Sequence, residues 1–300
     1  MLSKTMLSLL LLLMIPSPLW SAGSLFGPPT SHSHANGAIS VIMADFDGNN
    51  YNDMAVACES DNLVWVYYNT GNGTFLYAVA MTVGTQPSCI CAADFNGDGH
   101  IDIAASTWYS GASVLINNGD SSFSVSNFPA CNGPSAIVAA DFNGDGTPDL
   151  AVTNGYVTAS TDHMAVLINN GDGSFANPVK YDYGNSLVAI EAADLDGDGD
   201  QDLITVDNLN HVIHVMKNAG SGAFAAPVDY ATGYTPWEWP QSVRAGDLDG
   251  DGDQDLAVAN MNDESVGIFI NDGTGTFAAV INYPAGPSPM CVCAAVRPPS

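Results

Sequence analysis

An aspartate-rich loop of nine residues recurs five times in this chain, each copy followed by a short apolar segment. The loops read DFDGNNYND (45–53), DFNGDGHID (94–102), DFNGDGTPD (141–149), DLDGDGDQD (194–202) and DLDGDGDQD (247–255). Their first aspartates lie 49, 47, 53 and 53 residues apart. A period near fifty marks a supersecondary unit that must stack on copies of itself, which overrides a domain count drawn from length alone. Positions 1, 3, 5 and 9 of each loop carry oxygen. They are Asp45, Asp47, Asn49 and Asp53; Asp94, Asn96, Asp98 and Asp102; Asp141, Asn143, Asp145 and Asp149. The last two sets are Asp194, Asp196, Asp198 and Asp202, then Asp247, Asp249, Asp251 and Asp255. Such a loop wraps one hard cation, and Ca2+ prefers an all-oxygen shell.

Charge points the same way. Acidic residues outnumber lysine plus arginine 32 to 5, for a formal net charge of −27. That balance excludes nucleic acid and anionic membrane surfaces as partners, because both require a basic face. With 46% hydrophobic and only 12% charged residues, the chain is nonetheless rich enough in apolar surface to fold.

Each unit divides into four strand-like pieces. An apolar run precedes the loop and ends in small residues such as Ala92-Ala93 and Ala139-Ala140; a second run, such as Leu150-Ala151-Val152, follows it. A third run leads to a turn: NTGNGTF (69–75), NNGDSSF (117–123), NNGDGSF (169–175), NAGSGAF (218–224) or NDGTGTF (271–277). Glycine and asparagine there tolerate the positive φ of tight hairpins, and a fourth strand follows. Short strands between turns, with no helical periodicity after the N-terminus, define an all-β chain. Four antiparallel strands per unit at this period predict β-propeller blades. The small residues place the first strand innermost, and Trp65, Tyr67, Phe75, Phe175 and Phe277 fill the space between blades. A parallel β-helix is disfavoured, because its calcium repeats are about nine residues long.

The loop is not an EF-hand, which needs a glutamate at position 12; here that position holds Val56, Ala105, Val152, Thr205 or Val258. Zinc would want histidine or cysteine, and magnesium tends to keep its waters. Position 6 (Gly99, Gly146, Gly199, Gly252, and Asn50 in the first loop) permits the turn around the ion. Position 7 varies, as expected if only its carbonyl binds.

Together these motifs resemble the FG-GAP/VCBS repeat family, known from integrin α-subunit propellers and many secreted bacterial proteins. The resemblance spans residues 38–295. It implies a β-propeller, usually of seven blades, with calcium in hairpin loops on one face and ligands at the loop positions named above. The chain departs from it in number: five full units are visible (38–84, 85–133, 134–184, 185–240 and 241–288), and a sixth (289–296) begins. PMCVCAAV (289–296) aligns with PSCICAAD (87–94), but Val296 stands where the next aspartate belongs and a tail (297–300) follows. Either the chain is truncated within a larger ring or its last strand closes a smaller one; the abrupt change favours the first.

At the N-terminus, Lys4, an apolar run from Met6 to Ile15, Pro16, Pro18 and the small residues Ser21 to Gly23 predict a signal peptide over 1–23 and a linker over 24–37. The run is shorter than the roughly 20 residues a membrane span needs. A secreted, extracellular location without membrane insertion follows as an expectation. The six cysteines (58, 89, 91, 131, 291 and 293) then either bridge or serve as small buried hydrophobes.

No GxSxG, HExxH, GxxxxGK or Rossmann GxGxxG pattern occurs, and the acidic pairs are committed to metal, so no catalytic constellation is expected. His211 and His214, three apart, make a poor ligand pair. The fourth unit is lengthened before its neighbour by a segment holding Trp237, Glu238 and Trp239, and the third by Asn154–His163. Loops lengthened on a rigid scaffold are where binding concentrates, so Trp237 and Trp239 are candidate ligand-binding residues. The expected function is a non-catalytic adhesion or ligand-binding module for a glycan or extracellular protein, with structural calcium. The alternative is an accessory propeller domain of a secreted carbohydrate-active or other hydrolytic enzyme.

Overall fold

The computed structural model describes residues 36–155, 162–233 and 239–293. The signal-peptide segment, Trp237 and Val296 fall outside the described residues. The described chain is a fan of five four-stranded antiparallel sheets, each built from strands consecutive in sequence. The first comprises β1 (Ala38–Ala44), β2 (Asp53–Cys58), β3 (Leu63–Asn69) and β4 (Phe75–Thr82). The second holds β5 (Pro87–Ala93), β6 (Asp102–Thr107), β7 (Gly111–Asn117) and β8 (Phe123–Phe128). The third holds β9 (Pro134–Ala140), β10 (Asp149–Asn154), β11 (Met164–Leu167) and β12 (Val179–Tyr181). The fourth is β13 (Leu187–Ala193), β14 (Asp202–Asp207), β15 (Val212–Met216) and β16 (Val228–Ala231). The fifth is β17 (Pro240–Gly246), β18 (Asp255–Asn260), β19 (Ser265–Phe269) and β20 (Ile281–Pro284). Pro240, expected to close the fourth unit, instead opens the fifth sheet.

The first strands of successive sheets pack side by side, β1 on β5, β5 on β9, β9 on β13 and β13 on β17. This is why they end in alanine or glycine: larger side chains would not fit between converging backbones. β1, whose free side no described strand covers, alone carries a large residue near that end, Met43, and it is 49% exposed. The second strands are the core. β6, β10, β14 and β18 are buried at every residue, including the position-12 residues Ala105, Val152, Thr205 and Val258. A strand buried on both faces reads as a continuous apolar run, which is the pattern that ruled out the EF-hand glutamate.

Among the described residues, no comparable packing joins the fifth sheet back to the first. The sixth unit nevertheless begins in register. The Val292 backbone N–H and Cys291 Sγ lie 3.4 and 3.8 Å from Ser242 Oγ, as Ile90 N–H and Cys89 Sγ lie 3.3 and 4.0 Å from Ser40 Oγ. All six cysteines are free thiols. Burial pushes Cys58 up to about 11 and Cys131 up to about 12, so both serve as small hydrophobes.

Candidate metal centres

Each acidic loop joins the first strand of a sheet to the second, so all five sit at the same end of their sheets. Two of their carboxylates do different jobs. The position-1 aspartate is the hub of the loop. Asp94 Oδ1 accepts the Gly97 and Asp98 N–H groups at 2.8 and 3.2 Å, and its Oδ2 accepts that of Gly99 at 2.8 Å. Asp141 repeats the set with Gly144, Asp145 and Gly146. Positions 3 and 5 form short turns of their own: Asn96 Oδ1 accepts from Asp98 N–H and Asp98 Oδ1 from His100 N–H. The expected positive φ at position 6 is present, from +67° at Asn50 to +100° at Gly252.

The position-9 aspartate is instead a staple. Asp53, Asp102, Asp149, Asp202 and Asp255 are all fully buried. In each, one oxygen accepts the position-2 N–H, from Phe46, Phe95, Phe142, Leu195 or Leu248, at 2.9–3.0 Å. The other accepts the N–H of the turn asparagine (Asn69, Asn117, Asn169, Asn218 or Asn271) at 2.6–2.8 Å. Burial raises the carboxyls of Asp102, Asp149 and Asp202 to about 6; the two N–H groups oppose this, and the neighbouring loop carboxylates add to it. A buried negative charge with only neutral partners is an incomplete arrangement that a cation would complete.

The donor set fits a hard cation. Carboxylate oxygens of Asp45, Asp47 and Asp53 lie within 4.8 Å of one another, as do those of Asp194, Asp196 and Asp202, and of Asp247, Asp249 and Asp251. Asp196 Oδ1 is buried without a hydrogen-bond partner among the described residues. In the second and third loops no three carboxylates meet so closely, because position 3 is an amide, Asn96 or Asn143. In the fourth loop, Lys217 Nζ lies 3.2 Å from Asp196 Oδ2 and also donates to the Thr274 carbonyl of the fifth sheet. The residue at that place is Tyr68, Ile116, Ile168 or Ile270 elsewhere, so among the described residues the fourth loop alone has a lysine ammonium beside its carboxylates at that place.

Sequence reasoning missed the work of the turn asparagine. Its side-chain amide donates to the position-2 carbonyl of the preceding sheet's loop: Asn117 to Phe46, Asn169 to Phe95, Asn218 to Phe142 and Asn271 to Leu195, at 2.7–2.8 Å. The phenylalanine six residues on packs edge-to-face on that same position-2 ring, at 6.5 Å for Phe46–Phe123, 5.8 Å for Phe95–Phe175 and 5.4 Å for Phe142–Phe224. Position 2 is thereby sealed in the first four loops, at 1% exposure or less. In the fifth, Leu248 is 43% exposed. The third turn residue must also be glycine for a reason beyond φ. The position-7 side chain lies over it, so a Cβ at Gly71 would meet the Tyr51 ring at 2.5 Å and one at Gly119 the His100 ring at 2.5 Å.

Trp239 is described, precedes β17 at φ +45° and is 43% exposed. His211 is not in a strand but in the turn before β15. His214 is buried, with Nδ1 2.6 Å from Asp229 and Nε2 3.5 Å from Asp207. Burial would lower its pKa, but the two carboxylates outweigh burial and raise it.

Matches to known proteins agree with this architecture. A family model described as an FG-GAP-like repeat matches residues 45–105, 94–152, 156–205, 194–258 and 247–296, and an FG-GAP repeat model matches 133–173. No curated protein matches the chain. Among solved structures, a lectin of Agrocybe aegerita that recognises non-reducing terminal N-acetylglucosamine is 23% identical with a TM-score of 0.58, over 81% of this chain and 65% of its own. The chain thus spans slightly less than two thirds of that lectin. BBS1N, solved in complex with ARL6DN, is 12% identical with a TM-score of 0.57, over 85% of this chain and 69% of its own. A streptogramin B lyase is 17% identical with a TM-score of 0.56, over 84% and 70%. At these identities the likeness is one of fold. The five matched segments, which together cover most of the chain and include all five acidic loops, place it in the FG-GAP repeat family.

Proposed function

We propose that the chain is an exported, calcium-stabilised propeller module that binds a glycan without catalysing a reaction. The observation that carries this reading is the convergence of carboxylate oxygens in the loops, with buried position-9 aspartates that lack a counter-charge. Calcium would be held by positions 1, 3, 5 and 9 and would lock each loop to the turn beneath it. Millimolar extracellular calcium fills even weak sites, which is consistent with an exported chain. The fold likeness to a lectin supports a glycan as ligand. So does the placement of exposed aromatics: Trp239 and Tyr109 lie at the strand ends away from the acidic loops, where ligand contacts would not disturb the metal.

Two measurements test the reading. Titration calorimetry should find about five calcium ions per chain, and a glycan array should give signal that chelator abolishes. A chain that binds no calcium at millimolar concentration, or an array blank with calcium present, sinks the corresponding half of the proposal.

A further inference from the structure

The turn between β6 and β7 differs from its counterparts. At the same place the first sheet carries Glu59 and Asp61, the fourth Asp207 at the end of its strand, and the fifth Asp263 and Glu264. The second carries Trp108-Tyr109-Ser110 and no charge. Tyr109 is 80% exposed, more than any other large apolar residue described, whereas Trp108 is half-buried and meets its ring edge-on at 6.3 Å. Such exposure of an aromatic propped by a second ring serves no packing purpose.

The turn is also held firmly. Gly133 N–H donates to the Trp108 carbonyl at 3.3 Å, and Trp108 N–H to that of Thr85 at 2.8 Å. Gly111, at φ +86°, lets the turn lie directly on the connection into the third sheet, for a Cβ there would sit 2.4 Å from Ala130 N. Between turn and connection lies a pocket of about 360 Å³ lined by Tyr109, Ser110, Asn127, Pro129, Cys131 and Asn132, with Ala130 and Cys131 buried as its floor. Asn127 Oδ1 accepts the Ser113 hydroxyl at 2.5 Å, which leaves its NH2 group without a protein partner among the described residues. Ser110 and Asn132 side chains likewise make no hydrogen bond to described residues.

An aromatic face, two amides, a hydroxyl and no carboxylate form an unusual combination on a chain of net charge −27. We propose that this pocket binds a neutral pyranose, its C–H face stacked on Tyr109 and its hydroxyls bonded to Asn127, Asn132 and Ser110. A rigid aromatic anchor beside a few placed polar groups is the general design of such sites. An anionic sugar is disfavoured by the acidity of the whole chain. The inference rests on the glycan-binding reading above and assigns its site.

The test measures binding of the full chain to immobilised N-acetylglucosamine, galactose and mannose conjugates in about 1 mM calcium. Tyr109→Ala and Asn132→Ala should each weaken binding about tenfold or more with an unchanged melting temperature. Leu209→Ser, at the corresponding exposed position of the fourth sheet, should bind as the parent does. If Tyr109→Ala binds normally, or only Trp239→Ala loses binding, the assignment is wrong while the glycan reading survives. If the parent binds none of the three, both fall.

Discussion

The two ends of the sheets obey different rules. At the loop end, the hydrogen bond from the position-2 N–H to the buried aspartate varies by only 0.1 Å across five sheets. At the opposite end the turns share position but little chemistry: Glu59-Ser60-Asp61, Trp108-Tyr109-Ser110, Asn208-Leu209-Asn210 and Met261-Asn262-Asp263. Uniformity marks the end that holds the sheets together, and divergence marks the end free to recognise something. Perturbations at the first end should therefore register as stability, and at the second as binding.

The strongest test of that division is metal removal. A site with Kd of about 0.1 mM in about 1 mM calcium contributes roughly 1.4 kcal/mol. Five such sites would total about 7 kcal/mol, enough to lower Tm by about 10 °C or more. An unchanged melt in chelator would remove calcium from the account of the loop end. Next comes the staple. Asp149→Ala strands two buried N–H groups and should cost about 2–5 kcal/mol even in chelator. Asp145→Ala, at the exposed rim, should matter only when calcium is present. A chelator melt that shifts equally for both would erase the distinction between position 5 and position 9.

The link between sheets should rank third. Asn169→Ala removes a buried bond to the preceding loop and should cost about 1–3 kcal/mol by denaturant unfolding. Asn69→Ala should cost less, since Asn69 bonds only within its own sheet. A smaller effect is expected with pH. The carboxyls of Asp102, Asp149 and Asp202 are raised from 3.8 to about 6 in the fold. Their stabilising contribution is full below about pH 4 and is lost as pH rises through about 6. Metal-free protein should therefore melt higher at pH 5 than at pH 7, and the gain from added calcium should shrink over the same interval as protons displace the ion. A calcium increment independent of pH would mean that these carboxylates do not hold the ion. Smallest of all, Leu209→Ser at the divergent end should alter stability by no more than about 0.5 kcal/mol.

Most of the loop end was legible from residues alone, because its signals are local. Gly99 and Gly146 declare their φ, Val152 declares a strand at position 12, and Ala92-Ala93 declares a crowded axis. What escaped notice was non-local. Asn169 reads as a turn former, which it is, and that sufficient explanation hid its bond to Phe95, 74 residues away. Tyr109, beside Trp108 in a three-residue turn between two apolar strands, reads as a core residue; only its 80% exposure distinguishes it. Asp207 and Asp229, which flank His214, are 22 residues apart in sequence, so nothing in the spacing of His211 and His214 pointed to them.

The turn asparagine gives the molecule a direction. Each of the first four loops is sealed by a side chain that lies 71 to 76 residues further along the chain, never earlier. During synthesis, a loop therefore waits for the first three strands of the following sheet before its position-2 carbonyl is satisfied. Assembly proceeds like overlapping roof tiles, each course fixing the edge of the one before. A defect in one turn would unseat the sheet preceding it and spare the sheet that follows, so misfolding should spread toward the N-terminus. Limited proteolysis of an Asn218 variant would then cut first in the third sheet's loop, around Asp141–Asp149, rather than in the fifth.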